Sequence, residues 1–159
     1  MTPTRFAALL VVAVSLAGCF APPSNGQKVT EAARELNVNS RFGRMDMAAS
    51  YASPAARQAF LERRATWGTL VRVMDVELAS LDMDEQENEA LVEVVVSWMR
   101  VDESQLRATR VAQVWRSRDG DWQLTREKRV DGDVGLFGEH VEVAHPEVRD
   151  VQYPTTTLR

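Results

Sequence analysis

Between Thr69 and Arg129 the apolar residues recur at every second position, and that period commits the middle and end of the chain to a sheet. Ala90, Val92, Val94, Val96 and Trp98 mark one face of a long strand. The opposite face, Glu89, Leu91, Glu93, Val95, Ser97 and Met99, is mixed, as expected for a sheet solvated on one side. Upstream, Val71 and Val73 alternate in one phase and Met74, Val76 and Leu78 in the other. A β-bulge produces such a slip, and bulges bend strands. Leu81 to Asn88 reads as an acidic connection between these two strands.

A third strand is expected from about Gln105 to Ser117 and a fourth from Trp122 to about Arg129, joined at Asp119-Gly120, a strong hairpin signal. Two registers are open. A two-residue loop pairs Trp115 with Leu124. A three-residue loop pairs Val114 with Leu124 and gathers Ala112, Val114, Trp122 and Leu124 on one face; it is the register expected here.

Ahead of the sheet the period is helical. Val29, Ala32, Ala33 and Leu36 predict a helix from about Gln27 to Val38, ended before Gly43. Asp46 to Tyr51 reads as a short helix with Asp46 as its cap. Ser53-Pro54 opens a third, with serine at the N-cap, proline at the first turn, and Ala56, Ala59 and Phe60 toward the sheet. Arg57, Arg63 and Arg64 are read as a solvated face, the alternative being an anion-binding patch. The fold class is therefore α+β, with N-terminal helices packed on a curved four-stranded antiparallel sheet.

The start of the chain carries a different signal. Arg5 precedes twelve uncharged residues, Phe6 to Ala17, too few to cross a bilayer as a helix, which needs about 20. A charged start, an apolar middle and small residues near a cut have the proportions of an export signal. The segment ends in Leu16-Ala17-Gly18-Cys19, which resembles the bacterial lipoprotein signal; a plain secretory peptide is the alternative. The resemblance implies a lipid attachment on Cys19, made of diacylglyceryl on sulfur and a further acyl chain on the amine. Several chains hold durably where one holds marginally, since each buried methylene adds about 0.8 kcal/mol. Phe20 follows the cysteine where an aspartate would imply retention, so the implied destination is the outer membrane, facing the periplasm.

The expected organisation is a signal peptide over 1–18, a lipidated tether over 19–26, a cone domain over 27–130 and a loosely structured tail over 131–159. Removing residues 1–18 leaves 141 of 159 residues, and only Arg5 is lost among the charges, so the balance becomes 18 basic against 23 acidic, or −5. With acids interspersed among the bases, nucleic acid is not expected as a partner. Cys19 is the one cysteine, so the chain can form no internal disulfide and its stability must come from packing.

Helices followed by a bent meander that ends in Trp115-Arg116-Ser117-Arg118-Asp119-Gly120-Asp121-Trp122 resemble the nuclear-transport-factor-2-like superfamily, shared with ketosteroid isomerase and SnoaL-type cyclases. The resemblance spans about residues 27 to 130 and implies a sheet wrapped into a cone with a pocket. It does not choose a function, because this superfamily hosts enzymes, ligand binders and assembly modules.

No catalytic motif of the superfamily maps onto this sequence, so no catalytic, cofactor-binding or metal residue is assigned. By type alone, Asp75 is a candidate acid or base if buried; a solvent-facing strand aspartate beside the bulge is the simpler reading. Arg110 is a candidate anion ligand or, more simply, a rim residue. Tyr51 reads as a core or pocket-mouth aromatic, and Trp98, Trp115 and Trp122 as core or sheet-face aromatics. His140 and His145, with Glu139 and Glu142, lack a zinc spacing. Asp82, Asp84, Glu85, Glu87 and Glu89 lack the glycine and order of a calcium loop.

The expectation that follows is a membrane-anchored envelope lipoprotein, without cofactor, that binds a small apolar ligand or an envelope protein. The alternative is an isomerase or dehydratase working through a buried carboxylate such as Asp75. Homodimerisation through Leu91, Val95 and Met99 on the open sheet face is a third expectation.

Overall fold

The computed structural model describes residues 22–84, 86 and 88–139. Three helices, α1 (Asn25–Arg41), α2 (Met45–Ser50) and α3 (Pro54–Arg63), precede four strands, β1 (Val71–Asp84), β2 (Glu89–Arg100), β3 (Leu106–Arg118) and β4 (Asp121–Gly132). The strands form one antiparallel sheet in sequence order, and the helices cover one of its faces.

Local chemistry sets each helix start. Ser24 accepts from the Gln27 amide while the Gln27 side chain accepts from the Ser24 amide, a reciprocal capping box that begins α1 two residues earlier than expected. Gly43, at φ +72°, takes the left-handed turn that separates α1 from α2. Ser53 caps α3 and Pro54 occupies its first turn, as expected. Asp46 is not a cap; it lies inside the first turn of α2, with Arg44 at the cap position.

The sheet bends where the apolar phase slips. The β1–β2 register jumps between Val73 and Asp75, leaving Met74 as a bulge, and jumps again at Ala79. Beyond it β1 continues through Leu81 to Asp84, so the first half of the expected acidic connection is strand. Ala90, Val92, Val94, Val96 and Trp98 are all buried on the helical side, as their alternation requires.

The β3–β4 hairpin takes the other register. Arg118 pairs with Asp121 and Trp115 with Leu124, so the loop is the two residues Asp119 and Gly120. Both have positive φ, +56° and +91°, the type I′ geometry whose twist matches that of the strands. The core face therefore carries Val111, Gln113, Trp115, Trp122 and Leu124, while Val114 lies on the outer face. The misleading signal was polarity: Gln113 is buried on the core side, and the apolar Ala112 is covered on the outside.

β4 reaches Gly132, and residues 133–139 then fold back across the mouth of the cone. Leu136 is fully buried, its carbonyl accepts from Trp67 Nε1 at 2.8 Å, and Phe137 stacks on Trp67. The tail expected from residue 131 is thus packed as far as 139. Residues 140–159, like the leader and Cys19, lie outside the described residues.

Candidate functional site

The side of the sheet that faces the helices holds a continuous core of the chain's own side chains. α1 presents Val29, Ala33, Leu36, Asn37 and Ser40 to the sheet, a stripe that follows the helical period. Asn37 meets Gln113 in a reciprocal amide pair, Asn37 Nδ2 to Gln113 Oε1 and Gln113 Nε2 to Asn37 Oδ1, each 3.1 Å. Asn37 Nδ2 also donates to the Ala33 carbonyl at 2.8 Å. Satisfied in this way, two amides can sit among tryptophan and valine without the cost of an unpaired polar group.

Arg64, at the end of α3, is buried and pairs with buried Glu127 of β4. Its Nη1 donates to Oε1 and its Nη2 to Oε2, the latter at 2.8 Å. The guanidinium lies 3.9 Å from the Phe60 ring centre, 4.8 Å from Trp67 and 5.5 Å from Phe137, so aromatic faces replace the water it gave up. Its neighbour Arg63 is half-buried, donates to the Glu127 carbonyl and lies over Phe137. Arg57, though exposed, turns its Nε to the Ala49 carbonyl at 3.1 Å. The arginines of α3 are structural members, not the solvated face expected.

Asp75 does not enter the interior. It lies on the outer side of β1, half exposed at 50%, in a 2.8 Å ion pair with Arg41. A carboxylate so placed lacks the apolar surroundings that acid–base work in a cone requires. Arg110 is an outer-face residue paired with Glu93 at 3.1 Å. Trp98 and Trp115 are core residues, and Trp98 Nε1 donates to Thr109 Oγ1 at 2.9 Å.

Glu139 braces the strap formed by residues 133–139. Its Oε2 accepts from the Gly135 and Phe137 amides at 3.2 and 2.8 Å. His140, Glu142 and His145, with Glu85 and Glu87, lie outside the described residues. Asp82, Asp84 and Glu89 flank the β1–β2 hairpin, where Glu89 pairs with Arg116 at 2.7 Å. Among the described residues no group of three or more His, Cys, Asp or Glu is placed to hold a metal ion.

Outside the core, an open groove of about 1380 Å³ runs between the first half of α1, the end of α2 and the β3–β4 hairpin. Gly26, Ala32, Tyr51, Leu81 and Trp122 supply its apolar lining, and Lys28, Glu31 and Glu35 its charged rim. The Trp122 indole is buried, and its N–H finds no acceptor among the described residues. Tyr51 is thus a groove-mouth aromatic, as expected, held where its carbonyl accepts from the Leu124 amide at 2.9 Å.

Sequence reading missed Asn37, Gln113 and Glu127, and it set Arg64 on a solvated face. Asn37 and Gln113 were legible in principle, Asn37 lying four residues after Ala33 on the apolar stripe and Gln113 alternating with Val111 and Trp115. Glu127 was not, because the bulge at Thr125 shifts its side chain to the core face.

The arrangement of helices and sheet recurs among solved structures. A candidate scytalone dehydratase from Novosphingobium aromaticivorans superposes with a TM-score of 0.53 at 15% identity, covering 77% of this chain and 92% of that one. A candidate calcium/calmodulin-dependent kinase II association domain from Exiguobacterium sibiricum gives 0.56 at 11% identity, covering 70% and 98%. A protein of cystatin-like fold and unknown function from Nostoc punctiforme gives 0.51 at 14%, covering 69% and 91%. The fold is nuclear-transport-factor-2-like. At these identities the likeness carries the fold alone. No protein-family model matches the sequence, and no curated protein does either. Among the described residues, no helix is long and apolar enough to cross a membrane.

Proposed function

We propose that this protein is a lipid-anchored component of the bacterial envelope whose cone domain binds rather than catalyses. The observation that carries the binding reading is the set of the chain's own side chains buried in the interior. Where a catalytic cone keeps room for substrate, this one holds Leu136, the Asn37–Gln113 amides and the Arg64–Glu127 pair. The exposed position of Asp75 supports the same reading.

The groove beside α1 is the surface on offer to a ligand, a small apolar molecule or an apolar segment of an envelope protein, with Tyr51, Leu81 and Trp122 as contacts. It opens at Pro23 and Ser24, four and five residues after Cys19, so a domain tethered through Cys19 would present it close to the lipid surface.

The anchor is supported by Leu16-Ala17-Gly18-Cys19 at the end of an apolar leader. It is tested by fractionating cells that make the parent or Cys19→Ala, with mass spectrometry of the N-terminal peptide. The parent is expected in the membrane with acyl groups on Cys19 and the variant outside it; equal fractionation and an unmodified thiol would refute the anchor. The groove is tested separately by Trp122 emission during titration with a medium-chain fatty acid, with Trp122→Phe as the blank.

A reading as an isomerase or dehydratase would have to run through Glu127, the buried carboxylate that the cone does contain. Arg64 engages both of its oxygens, so the carboxylate is held in an ion pair with a cation. Turnover that vanished in Glu127→Gln while the fold survived would favour it.

A further inference from the structure

The groove beside α1 begins where the described residues begin. Pro23, Ser24 and Gly26 line its near end, and the lining follows α1 as far as Glu35. Helix rise makes that stretch roughly 16 Å long. Gly26 puts no side chain into it. A Cβ there would lie in ordinary contact with Leu81 Cδ2, at 3.9 Å, and a longer side chain would reach over Leu81. Half-buried Ala32, Tyr51 and Leu81 and buried Trp122 give the groove its apolar floor. Trp122 is only 5% exposed, and its indole N–H is a buried donor with no acceptor among the described residues, a group that folded proteins normally satisfy. The groove therefore suits an occupant that is apolar along its length and brings an uncharged acceptor.

We infer that the groove houses one of the chain's own acyl groups, carried on Cys19. The inference rests on the anchor proposed above and names the ligand that the groove holds at rest. Cys19 stands five residues before Ser24, so the tether keeps it within about 18 Å of the groove's near end. A tether this short gives its cargo an effective concentration in the millimolar range, which a free ligand has to match.

Chemistry and charge agree with that occupant. The ester and amide linkages of a lipidated cysteine are acceptors without charge, of the kind that the Trp122 N–H lacks. The ionised side chains of the lining are Glu31, Glu35 and Asp121 against Lys28, and the tether from Cys19 to Pro23 has no charge for the three carboxylates to oppose. Residues 140–159 fit less well, with Glu142, Glu147 and Asp150 against Arg149 and Arg159. Diacylglyceryl and a further acyl group make three chains where two already hold durably, so one can leave the bilayer for the groove while the anchor persists. An outside apolar ligand then enters by displacing it.

The test is photocrosslinking within the full chain, held in phosphatidylcholine nanodiscs, with mass spectrometry of the products and thermal melting as the folding control. The photoreactive residue p-benzoylphenylalanine replaces either Tyr51 in the groove or Leu106, exposed at the opposite end of the sheet. Position 51 is expected to link to the acylated N-terminal peptide about tenfold or more above position 106. Gly26→Leu favours the helix while filling the near end of the groove, and is expected to cut that product about tenfold with the melting temperature retained. If Cys19 is acylated but position 51 links only to phospholipid, to a second chain or to residues 140–159, or links to nothing, the inference falls and the anchor stands. A product that Gly26→Leu leaves unchanged overturns it equally, because the acyl chain then lies outside the groove. A bare thiol on Cys19 removes the anchor and the inference with it.

Discussion

Arg64 and Glu127, sixty-three residues apart, meet as a buried bidentate ion pair between α3 and β4, with Phe60, Trp67 and Phe137 against the guanidinium. α3 and β4 are thereby fixed to one another. A buried pair of this kind is weak evidence for stability, since desolvation offsets much of the attraction. Removing one partner is a different matter. Glu127→Ala should cost about 3–5 kcal/mol, because it strands a guanidinium in an apolar site. Arg64→Met with Glu127→Leu should recover most of that loss. Urea unfolding of the parent, Glu127→Ala and the Arg64→Met, Glu127→Leu double variant checks both values.

The Asn37–Gln113 pair predicts a smaller effect of the same kind. Gln113→Ala leaves the Asn37 amide without its partner, at about 1–3 kcal/mol. Asn37→Leu combined with Gln113→Leu removes both polar groups and should cost less than the sum of the two single changes. Chemical denaturation with tryptophan emission as the probe reads the difference, and strict additivity would show that the two amides do not act as a unit.

Much of this architecture was legible because one period governs it. The face of β2, the bulge at Met74 and the Ser53-Pro54 start of α3 all follow from local rules about side-chain direction and capping. The hairpin register was not legible, because apolarity favoured Ala112 and Val114 for the core whereas the turn's own geometry, with Asp119 and Gly120 both at positive φ, placed Gln113 and Trp115 there. The burial of Arg64 and Glu127 was likewise hidden, since each charge is tolerated only through a partner far away in sequence. Asp75 illustrates the converse: its type suggested chemistry, and its position beside Arg41 makes it an edge-strand ion pair.

Asp102 supplies a pH-dependent element at the β2–β3 turn. A hydrogen bond from the Arg100 guanidinium, the largest influence, holds its carboxyl below the ordinary value of 3.8. A carboxylate whose folded value is depressed stabilises the fold above its unfolded value, and that contribution disappears as the pH falls through the folded one. The side chain is open to solvent, so the contribution is small and salt-sensitive. The difference in melting temperature between the parent and Asp102→Asn should therefore be present at pH 5, shrink toward pH 2, and diminish in high salt. A difference that grew on acidification would contradict the depression.

Gly132 is the hinge on which the strap turns into the cone mouth. It sits at φ +82°, and a Cβ there would fall 2.3 Å from the Ala108 carbonyl oxygen, a backbone atom with little freedom to retreat. The close approach exists because the next residue is stitched to β3. The Asp133 amide donates to the Ala108 carbonyl at 2.9 Å, Asp133 Oδ2 accepts from the Ala108 amide at 2.8 Å, and the Asp133 carbonyl accepts from Thr109 Oγ1 at 2.7 Å. Gly132→Ala should break this stitch and lift Leu136 out of the core, at a cost of about 1–3 kcal/mol from backbone strain alone. Loss of the Trp67–Leu136 hydrogen bond should shift Trp67 emission to the red and raise amide exchange across residues 133–137 while β1 and β2 stay protected. If Gly132→Ala instead unfolded the whole domain in one transition, with no separate opening of the strap, the strap would be part of the cooperative core and not a latch upon it.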